Sequence, residues 1–228
     1  MGNPMARTTG PLTVAIVDDH PVVIEGIQTW LSEEPRISVG HTGETADVEA
    51  GIADLLILDL NLHGSLVIGD IATLAAAGQR VIAFSQFTEQ RVVLEALEAG
   101  ACEFVAKNEG RAHLVNAVLA AAGDRPYVTP TAAGVLAGDR GASRPRLSSQ
   151  ERTALLWWFQ SMSKASVARR MGVSVHTVDV YIRRARVKYA QVGRTAPTKA
   201  DMLARAIEDG LVKPDDITGY ESAAVGVG

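Results

Sequence analysis

Asp18, Asp19, Asp59, Ser85 and Lys107 are the side chains whose types and placement could do chemistry together. Each follows a short aliphatic run that reads as a buried strand: Leu12–Val17, Leu55–Leu58, Val81–Phe84 and Phe104–Ala106. In an open parallel α/β sheet, groups placed just past the carboxyl ends of the strands converge on one crevice. Three carboxylates gathered there repel one another unless something positive joins them. A hard divalent cation with oxygen ligands, Mg²⁺ above all, meets that need better than zinc does. Lys107 supplies a second positive charge opposite.

Positioning these residues requires strands that alternate with helices. Helical patterns fall over Pro21–Ser32, Val67–Ala77, Glu89–Ala99 and Arg111–Ala122, with a short one near Ala46–Ala50. Strand-helix alternation with five strands predicts a parallel sheet covered on both faces. Gly78, Gly100 and Gly123 follow three of these helices as stops. Residues 11–127 are therefore expected to form one α/β domain. The stretch 128–146, rich in Gly, Ala, Pro and Arg without apolar periodicity, reads as a linker.

Beyond it the pattern is wholly helical, over residues 147–213. Ser148 with Glu151 three residues later is a capping-box signature opening a helix to about Phe159. A second helix is expected over Lys164–Met171, broken by Gly172, and a third is capped by Ser174 and runs to about Tyr189. A fourth covers Thr198–Asp209, stopped by Gly210. The tail 214–228 reads as frayed.

The chain of 228 residues carries a formal net charge of −4, which conceals a division. Residues 1–130 hold 7 Lys and Arg against 17 Asp and Glu, net −10, while residues 147–213 hold 12 against 5, net +7. A basic C-terminal half is the electrostatic footprint of a polyanion binder. No apolar run approaches the ~20 residues that span a bilayer, so no membrane contact is expected. The polar start lacks a secretory core, which points to the cytoplasm. The one cysteine, Cys102, excludes an internal disulfide framework and is expected to be a small buried filler.

The set Val17-Asp18-Asp19-His20-Pro21, Leu58-Asp59-Leu60, Ser85 and Phe104-Val105-Ala106-Lys107 resembles the receiver domain of bacterial two-component response regulators. The resemblance implies a flavodoxin-like, doubly wound five-stranded sheet in which a sensor histidine kinase phosphorylates Asp59. It implies that Asp18, Asp19, Asp59 and the backbone carbonyl of Asn61 hold Mg²⁺. Lys107 would pair with the phosphoryl oxygens and the Ser85 hydroxyl would donate to one of them. Phe104 corresponds to the aromatic that swings inward when the hydroxyl residue shifts. Chemically this is coherent, because phosphoryl transfer to a carboxylate is chiefly positioning and charge neutralisation. Asn61-Leu62-His63-Gly64-Ser65 replaces the family's common Pro-Gly turn, so the loop after Asp59 is expected to differ.

Residues 147–210 resemble the four-helix DNA-binding domain of LuxR type found in the NarL branch of the same regulators, on Leu147-Ser148 to Glu151, Ser163 to Ala168 and Met171 to Val178. A short helix, a Gly-containing turn and a longer helix meet the demands of a helix-turn-helix. Along the third helix Val175, Val178, Ile182, Ala185 and Tyr189 recur at three- and four-residue steps and should face the core. His176, Asp179, Val180 and Arg183 form the opposite stripe, flanked by Thr177, Arg184, Arg186 and Lys188. Arg183 and Val180 are expected to read bases in the major groove of double-stranded promoter DNA. Arg184, Arg186, Lys188 and Arg169 are expected to touch phosphates. Asp179 either reads a base or pairs with Arg183 and orients it. Trp157 and Trp158 are expected to pack. Met202, Leu203, Ala206 and Ile207 form an apolar stripe on the fourth helix, by resemblance a homodimer contact and on the residues alone equally a core one.

Two other readings stay open on the sequence. A free-standing Mg²⁺-dependent phosphatase or phosphotransferase of the same sheet architecture would leave the basic half without a role. A receiver controlled without phosphorylation would keep DNA binding and not need Asp59.

Overall fold

A computed structural model describes residues 10–123, 125–138, 144–160 and 162–212, which divide into two units, up to Leu136 and from Ala137 onward. In the first, β1 (Leu12–Val17), β2 (Ile37–Gly43), β3 (Leu55–Asp59), β6 (Val81–Ser85) and β7 (Glu103–Ala106) form a parallel sheet of order β2-β1-β3-β6-β7. Strands β3, β6 and β7 are buried at every residue, as their unbroken aliphatic runs require. Strand β2 alternates polar and apolar residues and lies at an edge; this mixed composition is why its sequence gives no clear strand signal.

Helices cover both faces. Ile71 and Leu74 of α2 (Ile68–Ala76) and Val93 and Ala96 of α3 (Gln90–Ala99) pack with Val17, Leu58 and Phe104. Ile27 and Leu31 of α1 (Pro21–Ser32) and Leu114 and Val118 of α4 (Arg111–Ala122) pack on the opposite face with Ile16, Ile57 and Phe84. Strand order reverses between β1 and β3, so the crevice outside their carboxyl ends is the topological switch point. Asp18 and Asp59 stand there.

Three expectations are corrected here. No helix forms at Ala46–Ala50; the segment makes isolated turn hydrogen bonds, Val48 N–H to the Ala46 carbonyl and Ile52 N–H to that of Glu49, since five residues do not repay helix nucleation. The linker contains a helix, α5 (Pro130–Gly138), with Val135 and Leu136 packed against the core of the first unit. Cys102 is half-buried rather than a core filler. Gly123 ends α4 as expected, with φ −87° in place of the left-handed backbone seen at Gly78 (φ 94°) and Gly100 (φ 117°).

After Asp59 the chain forms a two-strand hairpin, β4 (Asn61–Leu62) with β5 (Ser65–Leu66), turning at His63 (φ 51°) and Gly64 (φ 81°). Two successive positive φ angles are the mark of the tight turn that suits hairpin twist. His63 adopts this backbone without being glycine, at a modest steric cost.

The second unit comprises α6 (Ser149–Phe159), α7 (Lys164–Met171), α8 (Val175–Gln191) and α9 (Lys199–Glu208) around Leu155, Phe159, Val167, Val178, Ile182, Tyr189 and Met202. Ser148, Ser163, Ser174 and Thr198 each cap a helix through the side-chain oxygen, with reciprocal boxes to Glu151 and Asp201. Gly172, at φ 69°, closes α7 in left-handed conformation and sets the turn into α8. Val175, expected in the core, is 45% exposed because it starts α8 before the helix enters the core. The tail 214–228 lies outside the described residues.

Candidate functional site

The first site assembles at the carboxyl rim of β1, β3 and β7. Asp18 and Asp59 are buried, and Lys107 Nζ donates to both, 2.7 Å to Asp18 Oδ2 and 2.8 Å to Asp59 Oδ2. Lys107 is itself held by its backbone N–H on the Ser85 carbonyl, 2.8 Å. Asn61 reaches the site through its N–H, 3.2 Å from Asp59 Oδ1. Asp19 Oδ2 accepts the His63 N–H at 2.8 Å, so the hairpin turn is tied to the acidic pair. His20 Nδ1 lies 2.8 Å from Asp19 Oδ1, and its N–H donates to Asp18 Oδ1 at 3.0 Å.

Electrostatics follow from this packing. Burial pushes the Asp59 carboxyl above its ordinary value, because Lys107 divides its charge between two acids and offsets only part of the desolvation. For Lys107 burial pulls down, but the hydrogen bonds to Asp18 and Asp59 outweigh it and raise the ammonium. The His63 N–H holds Asp19 below the usual carboxylate range. Ser85 is fully buried, its hydroxyl accepting the Phe87 N–H at 3.1 Å. Phe104 is also fully buried, on the face of α2 and α3.

The second candidate site is the α7-turn-α8 motif. His176 is exposed, and Arg169, Asp179, Arg183 and Arg186 keep some exposure, while Thr177, Val180 and Arg184 are buried, Val180 to 1%. Val180 is thus not presented to solvent in this conformation. Lys188 needs correcting as a phosphate contact: its ammonium is buried 3.0 Å from Glu151 Oε2, which also accepts the Ser148 N–H, so it clamps α8 to the start of α6. Asp179 pairs with Lys164 on α7. On α9, Met202 and Ala206 are fully buried in the core and are not dimer contacts, whereas Leu203 is half-buried and Ile207 is 37% exposed. Trp157 and Trp158 pack against the same core, with Arg170 4.1 Å above Trp157 and Lys199 5.2 Å from Trp158.

Residues 14–119 match the family model of the response regulator receiver domain, and residues 145–188 that of sigma-70 region 4. The probable transcriptional regulatory protein NarL of Mycobacterium tuberculosis is 31% identical over 225 residues, spanning 91% of this chain and 100% of that protein. The chain is a response regulator. The nitrate/nitrite response regulator protein NarL of Escherichia coli is 28% identical over 189 residues, 76% of this chain and 87% of that one. A solved two-component response regulator of the LuxR family from Aurantimonas is 27% identical with a TM-score of 0.53, covering 57% of this chain and 99% of that structure. The response regulator thus joins a receiver to a DNA-binding helix-turn-helix domain.

The acidic rim of this response regulator can hold a divalent cation. Ligand atoms of Asp18, Asp19, His20 and Asp59 lie within 4.8 Å of one another. Asp19 Oδ1 is buried, with the His20 ring nitrogen 2.8 Å away but no well-formed hydrogen bond, and a carboxylate oxygen of this kind suits a hard cation. Two residues that no spacing in the sequence marked also belong to the rim: Glu109 accepts the Ala106 N–H next to Lys107, and Thr129 donates to the Phe104 carbonyl. Thr129-Pro130 did carry a signal, a cap followed by proline at the first helical position, hidden within an otherwise linker-like composition.

Proposed function

We propose that this response regulator is switched by phosphorylation of Asp59, with a sensor histidine kinase as donor, Mg²⁺ as cofactor and double-stranded promoter DNA as the target. The observation that carries the reading is the Lys107 bridge between buried Asp18 and Asp59. An Asp59 oxygen forms the new P–O bond as the P–N bond of the donor phosphohistidine breaks, and the departing imidazole nitrogen takes a proton. Lys107 lies where it can meet the phosphoryl oxygens and offset their charge. Asp18, Asp19, Asp59 and the Asn61 carbonyl would hold Mg²⁺, which when bound neutralises the charge that separates the carboxylate from the phosphoryl group. The added −1.5 to −2 charges, roughly, give Lys107 and the Ser85 hydroxyl a stronger partner than the carboxylates do. The Ser85 hydroxyl, whose oxygen accepts the Phe87 N–H, would turn its own O–H to a phosphoryl oxygen, and Phe104 shares in that movement as the switch.

On the DNA side, His176, Thr177, Asp179, Val180 and Arg183 lie on the helix that would enter the major groove, with Arg169, Arg184 and Arg186 toward the phosphates. A homodimer in the active state would use Leu203 and Ile207, the members of the α9 stripe that reach the surface. The expected setting is the cytoplasm, and the catalysis is confined to the receiver's own phosphoryl transfer and hydrolysis.

Duplexes selected from a random pool test the scheme by titration with and without acetyl phosphate and Mg²⁺. Affinity should rise with the phosphodonor for the wild type and stay at its resting value in Asp59→Asn. An equal response in Asp59→Asn would favour a receiver controlled without phosphorylation.

A further inference from the structure

Strand β7 is an edge of the sheet, so the backbone groups on its open side need partners from elsewhere. Three side chains provide them, Glu103 Oε1 accepting the Phe104 N–H at 2.9 Å. Thr129 Oγ1, fully buried, donates to the Phe104 carbonyl at 2.7 Å. Glu109 Oε2 accepts the Ala106 N–H at 2.8 Å. Thr129 and Glu109 also cap the linker helix α5. Thr129 Oγ1 accepts the Ala132 N–H at 3.3 Å, and its carbonyl accepts that of Ala133 at 2.8 Å. Glu109 Oε1 accepts the Thr131 N–H at 2.7 Å. Pro130 has no N–H to satisfy, so every donor of the first helical turn is accounted for by these two residues.

The strand that carries Phe104 and precedes Lys107 therefore shares its edge partners with the start of the helix leading out of the receiver. We infer that Thr129 and Glu109 are positioning residues that clasp α5 to β7, so that the stability of the linker helix depends on the state of the Asp59 pocket. This rests on Asp59 being the phosphoacceptor. When Lys107 and Ser85 turn to a phosphoryl group, the end of β7 shifts, the shared hydrogen bonds lengthen and the first turn of α5 opens more often. Coupling of this kind is reciprocal, so a loosened clasp also changes the lifetime of the phosphoryl group.

Hydrogen exchange on the full-length protein tests the inference in the resting state and with beryllofluoride plus Mg²⁺, adduct formation being read separately by fluorine NMR. In the resting state Thr129→Val should speed exchange of the Thr131 to Ala133 amides about tenfold, the scale of a lost local closing interaction, while Thr129→Ser, which keeps the hydroxyl, should not. In the wild type, beryllofluoride should speed the same amides, and Thr129→Val and Glu109→Gln should remove that response, with Thr129→Ser restoring it. Unchanged resting exchange in Thr129→Val overturns the clasp. A full beryllofluoride response in Thr129→Val overturns the coupling even if the clasp exists. Absence of the fluorine adduct in the wild type would instead count against Asp59 as the phosphoacceptor, and the resting-state comparison would still decide the clasp.

Discussion

Asp59 serves its site at a cost to the fold. A carboxyl whose pKa is raised by burial contributes stability that is fully present below its unfolded value, near the ordinary 3.8, and lost as pH rises through its higher folded value. Asp59→Asn should therefore melt at a higher temperature than the wild type at pH 7, the gap closing as pH falls toward 4; calorimetry across that window checks it, and a lower melting temperature in Asp59→Asn at pH 7 would contradict it. Lys188 shows the opposite case, a charge that belongs to the structure. Lys188→Met leaves Glu151 buried without its cation and should destabilise the helical domain by about 3 to 5 kcal/mol, while Lys188→Met with Glu151→Gln, which keeps the capping box, should recover most of it. Chemical denaturation reads both. Asp18, Asp19, Asp59 and Lys107 were legible in the sequence because strand ends in a parallel sheet have one place to converge. Lys188 was not, since helical periodicity places a residue on a face but does not reveal a buried acid 37 positions away.

At the scale of elements, caps and stops carried most of the information. Ser148 with Glu151, Ser174 and Gly172 are local signals, and each helix begins or ends where they stand. Gly172 offers a clean test, because a Cβ there would meet nothing within 4 Å and only its φ of 69° resists a side chain. Gly172→Ala should cost about 1 to 2 kcal/mol, the left-handed penalty, with no packing contribution; a neutral result by denaturation would mean the turn into α8 relaxes freely. What escaped the sequence were elements whose reason is tertiary. Strand β2 alternates because it is an edge. Helix α5 is a poor helix by composition and exists because Thr129 and Glu109 satisfy its first turn and Leu136 finds the receiver core. Asp179 was expected to act along its own helix, and nothing in the sequence marked its partner Lys164 on α7, a contact set by how the two helices pack.

For the whole molecule, the division between an acidic first half and a basic second half matches a division of parts, an acidic pocket able to hold a cation in one unit and a DNA-binding helix-turn-helix in the other. The two are joined through α5, which begins on the edge of the receiver sheet. All of this depends on Asp59 being the acceptor, holding one phosphoryl group at a time long enough to act as a signal. The most direct measurement is the intact mass of the protein after incubation with acetyl phosphate and Mg²⁺, followed by mapping of the acyl phosphate after borohydride reduction. The expected result is one phosphoryl increment located at Asp59, absent from Asp59→Asn and greatly reduced when Mg²⁺ is chelated. A protein that stays unmodified, or one that carries the phosphoryl group elsewhere than at Asp59, would contradict it.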